Sequence, residues 1–154
     1  MGVLFLPLTV ALAWAFAFFG VAAPGSAAPD TFGDLTVRWL LCVPGGSMFV
    51  ISSAMHTVFA TRTAKTIGWQ TNGFQYEVGF ASLGLGVASV IASMSPTAAW
   101  LPVAVAQSIF LVLAGANHVR EMVKENNFAP GNTWVLLYDL GLPLSYLIAL
   151  SKRA

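Results

Sequence analysis

The sequence predicts an all-α bundle of helices that cross a membrane. Hydrophobic residues make up 57% of the 154 residues and charged residues only 8%, whereas soluble domains contain about 25% charged residues. The mean hydropathy is +0.77, so the chain lacks the polar side chains needed to cover a surface that faces water. Turn-forming and charged residues separate the apolar segments. We predict one domain over residues 1–154, with five spans at about residues 3–23, 39–60, 77–95, 100–119 and 134–150.

Charge and cysteine content exclude several kinds of site. The formal net charge is +1, so the sequence predicts no basic surface for nucleic acid. The one cysteine, Cys42, excludes an internal disulfide and a cysteine-rich metal site. It lies in an apolar run and is predicted to be a small core residue. The partner that the composition predicts is the lipid bilayer.

The first span, residues 3–23, contains no charged residue. As a helix it would extend about 30 Å, which matches the hydrocarbon core of a bilayer. A cleaved signal peptide is the alternative, and it would leave four spans. Two observations oppose cleavage: no Lys or Arg precedes Arg38, and the apolar run exceeds a signal core of about 7–15 residues. Residues 24–38 are rich in turn formers, and we expect Asp30, Asp34 and Arg38 to lie in water.

The second and third spans carry small residues at helical spacing. Pro44-Gly45-Gly46 predicts a kink near the start of the second span, whose small and polar face ends at His56. Residues 61–76 mix basic and aromatic side chains, so we expect this loop to lie in the membrane interface. The third span has two small stripes, which predict that it is the central helix: Gly79, Ser82, Gly86, Ser89 and Ser93; and Glu77, Ala81, Gly84, Ala88 and Ala92.

The fourth span is predicted to continue into water through residues 120–125, and Asn132 or Thr133 is expected to cap the fifth span. Tryptophans fall at four predicted boundaries, in the pattern of an aromatic belt: Trp39, Trp69, Trp100 and Trp134. Lys and Arg divide four against three between the two sides of the membrane, so no orientation is predicted.

Ionisable residues occupy four span ends that are predicted to share one side of the membrane. Because successive spans alternate in direction, the second and fourth spans end where the third and fifth begin. His56, Glu77, His118 and Asp139 stand at those four ends, and Gln75 adds a nearby amide. A charged group in hydrocarbon costs at least about 2.5–3.5 kcal/mol, so such groups normally face inward and pair. We therefore expect these residues to form one inward-facing cluster.

Several uses of this cluster remain open from the sequence. It could be a hydrogen-bond network that fixes helix register. Two imidazoles and two carboxylates also suit zinc, iron or manganese, and His56 and His118 could ligate a haem from parallel spans. Histidine and a partly buried acid could instead bind a proton or a small ligand. We favour binding of a small ligand, proton or metal ion, and the alternative is a non-catalytic accessory subunit of a larger membrane complex or a homo-oligomer.

Two sequence blocks carry a resemblance to a known family. The first contains Ile67-Gly68-Trp69, residues 74–81 and Gly84, and the second contains Gly115-Ala116-Asn117-His118, residues 127–132 and Asp139. On these blocks, residues 50–145 resemble a family of small, uncharacterised polytopic membrane proteins of bacteria and archaea with four to five helices. The resemblance implies a membrane fold and no activity. We expect the chain to be a multi-pass protein of the bacterial cytoplasmic membrane.

Overall fold

The computed structural model describes residues 2–26 and 30–153, in which all regular structure is helical. The helices are α1 (Phe5–Phe18), α2 (Phe32–His56), α3 (Ala60–Ile67), α4 (Gly73–Met94), α5 (Trp100–Glu125), α6 (Pro130–Thr133) and α7 (Leu136–Ser151), with short 3-10 turns at Gly2–Leu4 and Thr97–Ala99. This confirms the predicted all-α membrane bundle.

Within the described residues, four helical segments are long and apolar enough to cross a membrane: Phe32–His56, Gly73–Met94, Thr97–Glu125 and Pro130–Ser151. Helix α1 has 14 residues and extends about 21 Å, so it is shorter than the first predicted span of residues 3–23. It nevertheless packs against α2 and α7, and the indole N–H of Trp14 donates to Ser145 Oγ at 3.0 Å.

Helix α2 is the most buried of the four spans and packs against α1, α4 and α7, so the prediction that the third span is central was wrong. The physical reason lies in the two small stripes of α4. Gly79, Ser82, Gly86, Ser89 and Ser93 are buried as predicted, whereas Ala81 and Gly84 on the second stripe are exposed. Neighbouring helices therefore cover the first small face along its length, and they cover the second face only towards the end of α4, at Ala92.

The Pro44-Gly45-Gly46 segment forms one π-helical turn within α2, from Val43 to Ser47. Pro44 has no backbone N–H to donate, and a π-helical turn is wider than an α-helical one. Backbone carbonyls near this turn therefore need other hydrogen-bond donors. Side chains from three other helices supply them. Gln107 Nε2 donates to Gly45 O at 2.6 Å, Ser89 Oγ to Leu41 O at 2.9 Å, and Tyr138 Oη to Pro44 O. Tyr146 Oη in turn donates to Gln107 Oε1 at 2.7 Å.

Some helices begin or end at residues other than the predicted ones, and local contacts explain these differences. Helix α2 starts at Phe32, before the predicted Trp39, because Thr31 and Asp34 form a capping box. The loop predicted over residues 61–76 contains α3. Helix α5 continues to Glu125 as predicted. Asn132 does not cap the fifth span, since it lies in α6 and its side chain is bonded elsewhere.

At the end of the bundle where α2 and α5 begin, Arg38 is buried rather than in water, which corrects the expectation for residues 24–38. Its guanidinium donates to Asp30 at 3.0 Å and to Ser93 O at 2.6 Å. The fully buried Trp100 ring lies between Arg38 and Arg153, with ring-to-guanidinium distances of 4.7 and 4.5 Å. Arg153 also bonds Asp34 at 2.8 Å. We call Asp30, Asp34, Arg38, Trp100 and Arg153 the ionic clamp.

Candidate functional site

Two buried ionisable side chains face each other near the other end of the bundle. His118 is on α5 and Asp139 is in the first turn of α7, which pack together. His118 Nε2 lies 4.0 Å from Asp139 Oδ2, and the two residues are only 8% and 3% exposed. Gly115 lies one turn before His118, and a Cβ added there would come within 3.4 Å of Asp139 Cβ. This is an ordinary van der Waals distance, so α5 and α7 pack closely beside the pair.

Asn132 fixes which nitrogen of His118 carries the proton. The Asn132 side-chain nitrogen donates to the backbone carbonyls of His118 at 3.1 Å and Asn127 at 2.9 Å. Because both partners are acceptors, the amide oxygen must be the atom 2.8 Å from His118 Nδ1. An amide oxygen can only accept, so Nδ1 is protonated. In the neutral imidazole, the lone pair of Nε2 then faces Asp139.

The indole ring of Trp69 stacks on the imidazole ring of His118. Its centroid lies 5.2 Å from that of His118, with 23° between the ring planes. Gly68 places Trp69 by ending α3 in a left-handed conformation, at φ +82°. Asn127 Nδ2 donates to Ile67 O at 2.9 Å and so ties this turn to the α5–α6 connection. The two sequence blocks that carry the resemblance therefore meet at His118.

A cavity of about 250 Å³ lies beside Trp69. It is lined by side chains of α2, α3, α4, α5 and the α3–α4 turn: His56, Ala64, Ile67, Trp69, Gln70, Asn72, Phe74, Gln75, Val78 and Asn117. Gln70, Asn72 and Phe74 are exposed, so the cavity opens at this end of the bundle. The structure therefore brings His56 and Gln75 together here, and Trp69 connects this cavity to His118.

Unsatisfied polar atoms concentrate at the same place. Within the described residues, three buried side-chain atoms have no hydrogen-bond partner: His56 Nδ1, Trp69 Nε1 and Asp139 Oδ2. Buried polar atoms without partners are rare in folded proteins, since each costs about 1–3 kcal/mol. His56 and Trp69 line the cavity, and Asp139 faces His118. In the part of the chain that the structure describes, the unpartnered buried polar atoms therefore gather at this end of the bundle.

Glu77 does not join these residues. It follows Gln75 by two positions on α4, but its side chain is exposed and does not line the cavity. With Ala81 and Gly84 it forms the exposed part of the second small stripe. The expected inward-facing position of Glu77 was therefore wrong. The carboxylate stands in the first turns of α4, close enough to the end of the span to reach the interface.

The residues present do not fit the expected metal or haem. In residues 2–26 and 30–153, no three His, Cys, Asp or Glu side chains lie close enough together to hold a metal ion. Haem iron would have to approach the lone pair of His118 Nε2, but this nitrogen faces the buried Asp139 carboxyl group at 4.0 Å. The Trp69 ring also covers the face of this imidazole.

Sequence reasoning missed Asn132 and Trp69 as members of this site. Asn132 was assigned a capping role and Trp69 a place in an aromatic belt. Both residues do belong to the two blocks that carry the family resemblance, and that was the available signal. Their contacts with His118 join segments that are distant in sequence, so no local spacing reveals them.

Comparison with known proteins gives a family and no activity. No curated protein and no solved structure matches this chain. One family model, described as "Family of unknown function (DUF6790)", matches residues 3–154. Because this match covers nearly the whole sequence, the chain belongs to that family of unknown function.

Proposed function

We propose that the chain binds a proton at His118 and Asp139, near one end of its membrane bundle. The single observation that carries this proposal is the 4.0 Å approach of Asp139 Oδ2 to a histidine nitrogen that Asn132 leaves unprotonated. A carboxylate oxygen and an imidazole lone pair are both acceptors and repel each other. One proton bound to either atom removes this repulsion.

The proton is expected on Asp139 rather than on His118. The alternative, an imidazolium beside a carboxylate, must offset the desolvation of two charges with close hydrogen bonds. The 4.0 Å separation does not provide such a bond, and Asp139 Oδ2 has no other partner. A neutral acid facing a neutral imidazole avoids this cost. The other ionisable groups near His118 are His56 of α2 and Glu121 of α5.

Nitrogen NMR of the histidines tests this proposal, because the chain contains only two. Protein labelled with ¹⁵N-histidine in lipid bilayers should give one pair of ring-nitrogen signals that disappears in His118→Gln. We expect that pair to show a protonated Nδ1 and an unprotonated Nε2 at neutral pH, and to change when Asp139 loses its proton at higher pH. The variant His56→Gln should leave it in place. A His118 with protonated Nε2 at neutral pH would overturn the proposal.

Asp139→Asn separates proton binding from mere packing. Asparagine has nearly the same shape and can donate to Nε2, but it cannot release a proton at any pH used in the experiment. We expect the His118 signal of this variant to stay constant over the pH range in which the wild-type signal changes. Glu125→Gln, an exposed acid on α5, should retain the wild-type response. A His118 signal that responds to pH equally in Asp139→Asn would contradict a shared proton.

We also propose the bacterial cytoplasmic membrane as the location, on the basis of the family resemblance and the four apolar helices. The accessory-subunit and homo-oligomer alternatives stay predictions. They would use the exposed small stripe of α4, which carries Ala81 and Gly84. A single cysteine introduced at Ala81 tests the homo-oligomer in native membranes, because two copies packed through this stripe should form a disulfide between them.

A further inference from the structure

The cavity beside Trp69 is lined without any charged side chain. Its polar side chains are those of His56 and Trp69 and four amides: Gln70, Asn72, Gln75 and Asn117. An ionic ligand would therefore enter without a counter-charge, which is costly near a membrane interior. The lining favours an uncharged molecule.

The amides offer donors and acceptors side by side. Gln75 Nε2 already donates to Ala60 O at 2.8 Å, which leaves its Oε1 as an acceptor for another group. Asn72 Oδ1 accepts the backbone N–H of Gln75 at the start of α4, which leaves its side-chain N–H groups as donors. A ligand that satisfies both needs its own donor and acceptor close together.

Two unpartnered nitrogens and two aromatic walls add to this pattern. The buried atoms Trp69 Nε1 and His56 Nδ1 have no partner, and both side chains line the cavity. An indole N–H can only donate, so it requires an acceptor oxygen or nitrogen. Trp69 and Phe74 are the aromatic walls, and aromatic rings favour flat groups against them.

We propose that this cavity binds a small, uncharged, planar molecule in which a carbonyl oxygen lies next to an N–H. The volume of about 250 Å³ equals the share of about eight water molecules and lies below the range of about 300–1,000 Å³ that is typical of drug-sized ligands. A single ring fits. This site goes beyond the proton-binding pair, and it touches that pair only through the stacking of Trp69 on His118.

Saturation-transfer NMR with 2-pyridone tests the proposal on the full chain in detergent. This probe is neutral, planar and carries the required carbonyl and N–H. We expect saturable transfer that is at least about tenfold weaker for benzoate, which is charged, and for toluene, which cannot hydrogen-bond. Equal binding of toluene would show that the cavity is only apolar and would overturn the proposal. Failure of 2-pyridone to bind the folded wild-type chain would also overturn it.

Matched variants locate the binding. Val78 lines the cavity and Val87 is exposed further along α4, so Val78→Phe should reduce 2-pyridone binding at least about tenfold while Val87→Phe leaves it unchanged. Asn117→Leu should weaken binding about three- to tenfold, the loss of about one hydrogen bond. Equal effects of the two valine variants would place the probe elsewhere and overturn the site.

Binding of 2-pyridone to the Asp139→Asn variant distinguishes a failure of this proposal from a failure of the proton-binding proposal. Asp139→Asn removes the titrating group but leaves every residue of the cavity wall in place. We expect this variant to keep 2-pyridone binding within about threefold of the wild type. Its complete loss, with the fold intact by circular dichroism, would show that the cavity is no independent site and would overturn this inference.

Discussion

Asn132 is fully buried, and its hydrogen bonds set the chemistry of its neighbour. The amide accepts from His118 Nδ1 and donates to the carbonyls of His118 and Asn127. The sequence predicted a cap here, because asparagine after a Pro-Gly turn is typical of helix starts. The structure uses the same residue type for a different reason: only an amide offers an acceptor and two donors in one planar group.

Replacing Asn132 by leucine should therefore destabilise the protein strongly. Asn132→Leu leaves His118 Nδ1 and two carbonyls without a side-chain partner, at about 1–3 kcal/mol for each group that water cannot reach. We expect a loss of about 3 kcal/mol in the free energy of unfolding, measured by denaturation in detergent. Asn117→Leu, at an exposed position of α5, should change it by less than about 1 kcal/mol. Similar values for both variants would contradict the role given to Asn132.

Trp100 shows how much a single residue depends on distant contacts. The sequence placed it in an aromatic belt, yet it is fully buried between two guanidinium groups, and its indole N–H donates to Ala92 O at 2.9 Å. Arg38 was expected in water because a charge beside turn formers is typical of a loop. Its partners come from Asp30, α4 and α5, so local sequence could not reveal its burial.

Removing this ring should open the ionic clamp. We expect Trp100→Leu to lower the free energy of unfolding by about 3 kcal/mol, through a buried cavity and two guanidinium groups that lose their stacking partner. Trp134 is 52% exposed, so Trp134→Leu should cost less than about 1 kcal/mol in the same denaturation measurement. The clamp would be unimportant if the two substitutions had equal effects.

At the scale of elements, the spacing of small residues predicted two packed faces on α4, and the face with Gly79, Ser82 and Gly86 is buried as predicted. The spacing could not tell which of the two small stripes is covered along its length, because both stripes permit close packing. The choice depends on α2, whose π-helical turn brings Gly46 O to the Gly86 face of α4. Tertiary contacts of this kind leave no periodic signal in the sequence.

Alanine substitutions on the two stripes should have opposite effects. A Cβ at Gly86 would lie 2.9 Å from Val50 N and 3.0 Å from Gly46 O, both backbone atoms, whereas a Cβ at Gly84 meets nothing within 4 Å. We expect Gly86→Ala to destabilise by about 1–3 kcal/mol and Gly84→Ala to stabilise by up to about 1 kcal/mol, since alanine favours helix. Thermal unfolding in detergent measures both. The same sign for both variants would contradict the packing described.

For the whole molecule, composition predicted the membrane bundle, and the alternation of spans predicted that His56, His118 and Asp139 lie near the same end. The structure brings His118 to Asp139 and brings His56 and Gln75 to an adjacent cavity. Glu77 was misplaced because the cost of a charge in hydrocarbon was assumed to turn it inward, whereas its position early in α4 leaves it exposed. Metal coordination was inferred from residue types alone, and the geometry does not fit it.

The bundle thus has three polar layers with distinct roles. The ionic clamp closes one end, and the Gln107 and Tyr146 hydrogen bonds satisfy the π-helical turn in the interior. These two layers are well paired. The layer at the other end differs, because it contains the buried atoms without partners. A site that binds a proton or a ligand is expected where the interior leaves polar groups unsatisfied.

The protonation state of Asp139 tests the central claim most directly. Infrared spectroscopy of protein in bilayers, with ¹³C-labelled aspartate, separates the carbonyl stretch of a protonated acid from the stretches of a carboxylate. The chain has Asp30 and Asp34 in ion pairs with arginine, so they give carboxylate signals. We predict a protonated-acid band at neutral pH that is absent in Asp139→Asn. A spectrum with carboxylate bands alone at neutral pH would contradict the account.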